Sequence, residues 1–301
     1  MRRHLTFVVC SFASLAQAAE PVAAYRLEPY RKTVALRAEI AGHAGLFAFD
    51  TAGGITLISP DLAAKSGCKP WGRLSGHRMM GDRLDMPRCD AVGLRLGEER
   101  YRLPVVGVLD IAPLIAKDAA PVDGSIALDA FAGKAITIDF PGMRLIVESP
   151  ESLSERVAGA ESLPLSLSRE LQGRALAASL GVPGPLGMAW MELDSGNGGT
   201  ILVAKPYAAQ FGLDPDEKGV QKADFRVSER LRAQGAAFAP DMILDGNLGM
   251  PFLRDKVVTL DLAVGRLWIR QGNQRYRAPA SGIDRDAGTG VASRIRGSGS
   301  P

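Results

Sequence analysis

The sequence predicts a mostly-β chain with short helices, folded as two similar lobes. Three observations predict it. The 301 residues include 34 glycines and 19 prolines, which punctuate many short apolar runs, and such punctuation marks turns between strands. Several runs alternate apolar with other residues, the period of a half-buried strand. The chain also repeats itself, and a strand-like run ending in Asp-(Thr/Ser)-small occurs twice in the same setting. At roughly 150 residues per domain, the length suits two lobes.

Hydrophobic residues make up 46% of the chain and charged residues 23%. That composition excludes wholesale disorder and leaves enough apolar material for a core. With 36 basic and 33 acidic residues the net charge is +3. No basic run is interleaved with aromatics, so no nucleic-acid partner is expected.

The first eighteen residues read as an address. A basic start at Arg2 and Arg3 is followed by an apolar stretch from Leu5 to Leu15 and by Ala16-Gln17-Ala18. These three parts in order describe a secretory signal peptide over 1–18, with a periplasmic or secreted destination. The stretch is too short to span a bilayer, and no later one approaches a span, so no stable membrane span is expected. Two cysteines remain beyond it, Cys68 and Cys89. An exported protein permits a disulfide between them, and two buried thiols are the alternative. A zinc site adding His77 lacks a fourth ligand and a compact spacing, so no metal is expected.

The first lobe is expected over 19–150. Val34, Leu36, Ala38 and Ile40 alternate before a turn at Gly42–Gly45, a hairpin pattern. The returning run Leu46–Phe49 ends at Asp50-Thr51-Ala52. A helix follows, capped by Ser59, opened by Pro60 and stopped at Gly67. A Ser-, Leu- and Glu-rich linker is expected over 151–173. The second lobe, 174–271, repeats the scheme: Leu176–Leu180, a Pro183-Gly184-Pro185 turn, then Met188–Leu193 ending at Asp194-Ser195-Gly196, with a helix from Pro206 to Gly212. Residues 272–301, rich in Gly, Ser, Ala and Arg, read as a flexible tail.

Asp50 and Thr56 match Asp194 and Thr200 at an offset of 144. Further on, Asp123-Gly124-Ser125-Ile126-Ala127 matches Asp245-Gly246-Asn247-Leu248-Gly249 at an offset of 122, as do Thr137 and Asp139 with Thr259 and Asp261. The second copy is therefore 22 residues shorter, and the extra length of the first falls at about 70–110. Asp139 and Asp261 follow apolar pairs and read as structural strand-end residues.

Each Asp at the tip of an apolar strand begins a tight turn. If two similar lobes pack about a pseudo-twofold axis, the tips face one another. Two carboxylates about 3 Å apart share a proton, so one activates a water and the other polarises a carbonyl. Other hydrolase classes fit less well. Neither cysteine has a local signature with His43 or His77. No G-x-S-x-G elbow occurs. A glycosidase needs its carboxylates farther apart.

Carried by Asp50-Thr51-Ala52 and Asp194-Ser195-Gly196, with Ile126-Ala127 and Leu248-Gly249 downstream, the chain resembles aspartic proteases of the bacterial retropepsin-like kind, with two copies fused as in the pepsins. The resemblance implies a two-lobed aspartic protease fold from an internal duplication. It implies a catalytic pair, Asp50 and Asp194, whose turns are supported by Thr51, Ala52, Ser195 and Gly196. It implies a substrate-binding flap from the first lobe that includes Gly76, Met80 and Gly81. Such a protein is an exported endopeptidase that acts on peptide or protein substrates, needs no cofactor, and completes its site within a monomer. Ala52 and Ala127 stand where that family has glycine. The alternative is therefore a peptide-binding relative with weakened or absent turnover.

Overall fold

The computed structural model describes residues 18–115 and 118–272. The expected signal peptide up to Gln17 and the expected tail beyond Gly272 lie outside the described residues.

The first lobe opens with three antiparallel strands, β1 (Ala23–Tyr30), β2 (Thr33–Ile40) and β3 (His43–Phe49). The alternation seen in the sequence sets their faces: Val34, Leu36 and Phe47 point into the core and are fully buried. Strand β4 (Leu57–Ile58) leads to the helix Pro60–Lys65. Ser59 caps that helix, its hydroxyl accepting a bond from the Leu62 amide at 3.1 Å, and Pro60 occupies the first turn, where its missing N–H costs nothing.

Strands β5 (Trp71–His77), β6 (Arg83–Leu96) and β7 (Glu99–Val108) form an antiparallel meander. The β5–β6 hairpin projects as a flap. A disulfide joins Cys68, just after the helix, to Cys89 in β6, with a Cα–Cα distance of 6.1 Å. It ties the base of the flap to the lobe. Strand β8 (Gly124–Ile126) then pairs in parallel with β3.

Next come β9 (Ala135–Asp139) and β10 (Arg144–Val147), then a helix over Pro150–Val157. Ser149 and Ser152 close that helix reciprocally: each hydroxyl accepts a bond from the other's amide, at 3.1 and 2.9 Å. Two short strands follow, β11 (Ser162–Leu163) and β12 (Leu165–Ser168), where a linker was expected. β11 pairs with a strand of the central sheet and β12 with the second-lobe sheet. β1 does both jobs in the first lobe: Ala23–Arg26 pair with β10, and Leu27–Tyr30 pair with β2. Residues 162–168 are thus the second copy's first strand, interrupted at Pro164, which has no N–H for a ladder.

The second lobe continues with β13 (Ala177–Gly184), β14 (Gly187–Leu193) and β15 (Ile201–Val203), then a 3₁₀ helix over Lys205–Phe211. Gly212 ends that helix in the left-handed region, at φ 76°. Strands β16 (Gln221–Arg226), β17 (Arg232–Phe238) and β18 (Gly246–Leu248) complete the lobe, and β19 (Lys256–Asp261) and β20 (Arg266–Gln271) end it.

The two copies share this plan. β14 pairs in parallel with β18 as β3 does with β8, and β15 pairs in parallel with β17 as β4 does with β7. A central sheet, ordered β11-β20-β19-β9-β10-β1, draws strands from both copies. At its middle β9 and β19 pair antiparallel with Thr137 opposite Thr259, their hydroxyls 2.9 Å apart. The local twofold passes between them. Asp139 and Asp261 each accept turn amides, from Gly142 and from Ala263 and Val264. They shape strand-end turns. The chain is therefore mostly β and two-lobed, with an aspartic-protease-like fold built from two copies of one plan. Among the described residues, no helix is long and apolar enough to cross a membrane.

The extra length of the first copy is divided. Part of it is the flap. The rest lies in residues 109–123 between β7 and β8, against only 239–245 between β17 and β18.

Candidate active site

Asp50 follows β3 and Asp194 follows β14. Each backbone amide donates to the strand alongside: Asp50 to the Ile126 carbonyl at 3.0 Å and Asp194 to that of Leu248 at 3.1 Å. Each turn thus hangs from the parallel pair of strands that ends beside it. The structure brings the two carboxyls within hydrogen-bonding reach of one another.

Thr51 and Ser195 lock the turns together, and both are buried. The Thr51 hydroxyl donates to the Leu193 carbonyl at 2.6 Å and accepts from the Ser195 amide at 3.0 Å. The Ser195 hydroxyl donates to the Phe49 carbonyl at 2.7 Å and accepts from the Thr51 amide at 3.1 Å. These four bonds cross between the lobes as two symmetric pairs. They fix the spacing of the aspartates more tightly than packing alone could, because each hydroxyl is held at both ends.

The carboxyls are held unequally. Asp194 Oδ1 accepts amides from Gly196 and Asn197 at 2.8 and 3.0 Å, and its Oδ2 accepts the Asn247 side-chain amide at 2.7 Å. Asp50 Oδ1 accepts the Ala52 amide at 3.0 Å. Burial pushes the proton affinity of both carboxyls up. The Asp194 charge raises that of Asp50 further, while the Asn247, Gly196 and Asn197 donors partly offset the rise at Asp194. A pair of this kind retains one proton well above the usual carboxylate range. It can supply an acid and a base to a water held between the two carboxyls.

The two departures from glycine have different surroundings. At Gly249 a Cβ would lie 2.4 Å from the Asn197 carbonyl oxygen. In the first lobe the counterpart of Asn197 is Gly53, where a Cβ would lie 3.5 Å from the Ala127 methyl. Ala127 therefore has room that position 249 lacks. Ala52 is the other departure. At its counterpart Gly196, an added Cβ would approach the Asp50 carboxyl carbon to 2.8 Å. Gly249→Ala should cost roughly 1–3 kcal/mol through overpacking, read as a lower midpoint in urea unfolding. An unchanged midpoint would show that the turn relaxes freely.

The flap tip comprises residues 78–82. Its turn is closed by the Gly81 amide donating to the Arg78 carbonyl at 2.7 Å, and the Met79 carbonyl accepts the Ile243 amide of the second lobe at 3.0 Å. Gly81 takes φ 89°, a conformation glycine adopts without strain, and a Cβ there would lie 3.4 Å from Ile243. Met80 shares this tip, whereas Gly76 lies in β5 opposite Leu84, down one arm of the hairpin.

Three further side chains belong to the site and are missed by sequence reasoning. Asn247 donates to Asp194 and accepts from the Asn197 side chain at 2.8 Å. Asp129 accepts the Thr56 hydroxyl at 2.6 Å and its amide at 3.0 Å, bracing the first turn from behind, and burial raises its pKa to about 6. Glu192 sits two residues before Asp194. Burial, then the Asp194 and Asp50 charges, push its pKa up to about 9, against the lowering effect of the Asn247 side chain. The available signal was a mismatch between the copies: Asn247 stands against Ser125, and Glu192 against Ala48.

No family model matches the chain, and no curated protein matches it. Solved structures do. Basic 7S globulin from soybean aligns with a TM-score of 0.53 at 10% identity, over 82% of this chain and 94% of that one. Conglutin gamma, a basic 7S globulin from lupine seeds, aligns with a TM-score of 0.54 at 8% identity, over 85% and 96%. The structure of edgp aligns with a TM-score of 0.53 at 11% identity, over 84% and 95%. At these identities the likeness is one of fold. It extends over nearly the whole length of those chains and supports the pepsin-like, two-lobed side of the resemblance rather than a bacterial retropepsin.

Proposed function

We propose that this chain binds extended peptide or protein segments between its lobes, with hydrolytic turnover weakened or lost. One observation carries the binding: the flap tip of the first lobe bridges to the second, its Met79 carbonyl accepting the Ile243 amide. A hairpin in that position offers backbone groups to an extended segment. Reduced turnover is supported by Ala52, which stands where the second copy has Gly196. Two of the similar structures are named as basic 7S globulins and not as proteases.

A second reading, an exported aspartic endopeptidase, is favoured by the intact crossing bonds of Thr51 and Ser195 around both aspartates. In that reading Asp50 and Asp194 activate a water, with no metal or cofactor. Export to the periplasm or medium, and kinship with bacterial retropepsin-like enzymes, rest on residues 1–18 and on the Asp50-Thr51-Ala52 motif. One site per chain needs no second copy.

Peptides with a hydroxyethylene isostere in place of the scissile bond separate the two readings. A peptide-binding protein should hold the isostere and the plain peptide within about tenfold of each other. An endopeptidase should prefer the isostere by about 100-fold or more. It should also cleave a mixed peptide library between about pH 3.5 and 8, losing that cleavage in both Asp50→Asn and Asp194→Asn. If neither peptide binds and nothing is cleaved, both readings fail.

A further inference from the structure

We infer that Glu192 makes the cleft select a basic side chain on one side of the bound peptide's central bond and not on the other. The inference rests on the peptide-binding reading above. Along β14, Met191 and Leu193 are buried in the core. Strand alternation therefore sends Glu192 to the same face as Asp194, toward the cleft. Its register partner on β18 is Asn247, the residue that donates to Asp194. The carboxyl of Glu192 thus lies beside the aspartate pair. The further charges acting on it are those of Asp194, Asp50 and Glu170, all acidic. No ion pair to Glu192 occurs among the described residues.

The duplication supplies the contrast. Ala48 occupies the position in β3 that Glu192 holds in β14. Around Ala48 cluster Tyr30, Ile111 and Val122, all largely buried. The first-lobe side of the aspartates is therefore apolar, and the second-lobe side is acidic. An extended peptide alternates its side chains as a strand does, and the residues flanking its central bond meet the two sides separately. A Lys or Arg against Glu192 supplies the opposite charge that the acidic side lacks, and an apolar residue suits the Ala48 side.

The half-buried acid also provides a signature. Burial and the Asp194 and Asp50 charges push the Glu192 pKa up to about 9, which favours the protonated form at neutral pH when the cleft is empty. An ammonium placed beside it favours the ionised form, so binding at pH 7 should release up to about one proton.

The test uses hydroxyethylene-isostere peptides, which keep a side chain on each side of the replaced bond and cannot be cleaved. Lysine, norleucine and glutamate are placed on one side and then on the other, and binding to the full mature chain is followed by calorimetry in two buffers of different ionisation enthalpy. The expected result is lysine over norleucine by about tenfold or more, roughly 1.4 kcal/mol, on one side only, with proton release. Glu192→Gln should cut that preference below about threefold and abolish the release. Norleucine preferred or equal on both sides in the wild type would overturn the inference. So would a lysine preference that persists in Glu192→Gln, or one that comes without proton release. Peptides that bind without discrimination sink this inference alone. Peptides that do not bind at all sink the peptide-binding reading and this inference with it.

Discussion

Asp50→Asn is expected to be more stable than the wild type at pH 8 and no more stable at pH 3.5. The Asp50 carboxyl has its proton affinity raised by burial and by Asp194, from an unfolded value near 3.9. A raised acid pKa means that the folded state holds the proton more tightly than the unfolded chain does. Folding is therefore unpenalised below about pH 4, loses ground as pH rises through the folded value, and levels off above it. Asparagine does not titrate, and its amide can donate to the Asp194 carboxylate. The gain at pH 8 should be roughly 1–3 kcal/mol, at about 1.4 kcal/mol per pKa unit. Glu192 imposes a like-signed penalty on both proteins, and this largely cancels in the difference. Asp194→Asn is a poorer probe, because Asp194 Oδ2 accepts the Asn247 side-chain amide. An amide there would set two donors against each other. Thermal melts of wild type and Asp50→Asn at both pH values decide the matter. A difference that does not change with pH would mean that the carboxyls do not share a proton.

The largest loss of stability is expected from Thr51→Val. Valine keeps the shape and removes the hydroxyl that joins the Leu193 carbonyl to the Ser195 amide. Both groups would then be buried without those partners, at roughly 1–3 kcal/mol each. The sum, about 2–6 kcal/mol, is large against a typical total of 5–15 kcal/mol. Urea unfolding at constant m-value measures it. Ser195→Ala breaks the other pair, and because both pairs belong to one network, the double variant should lose less than the two single losses added together. A loss under about 0.5 kcal/mol in Thr51→Val would show that the crossing bonds do not hold the lobes.

Much of this architecture is legible in the sequence because it is written twice. The β2–β3 and β13–β14 hairpins, the helix caps at Ser59 and Gly212, and the turns at Asp50 and Asp194 follow from alternation and turn chemistry that each copy repeats. The strands β11 and β12 were hidden by their brevity: two and four residues around Pro164 carry no readable period, and only pairing with β20 and β13 makes them strands. Glu192 was hidden by its regularity. In β14 the pattern Met188, Trp190, Glu192 against Ala189, Met191, Leu193 looks like a solvent face opposite a core face. The other lobe converts the end of that face into a cleft, and no local pattern records the conversion. Asn247 and Asp129 were hidden in the same way, each bonded to a residue more than fifty positions distant.

The antiparallel pairing of β9 with β19 bears on how such a chain could come apart. Each strand has the other copy as its outer neighbour, so either half produced alone would carry a bare sheet edge at the site of the local twofold. An open edge is a template for another strand. The nearest sequence of suitable pattern would be the same strand of a second fragment, with Thr137 falling opposite Thr137. A severed first half therefore carries the instructions for a symmetric pair of identical pieces, and the fused chain meets those instructions with a tethered and non-identical partner. Tethering frees each half to diverge without losing its mate, and that freedom is what allows one side of the aspartates to be lined by Ala48 and the other by Glu192.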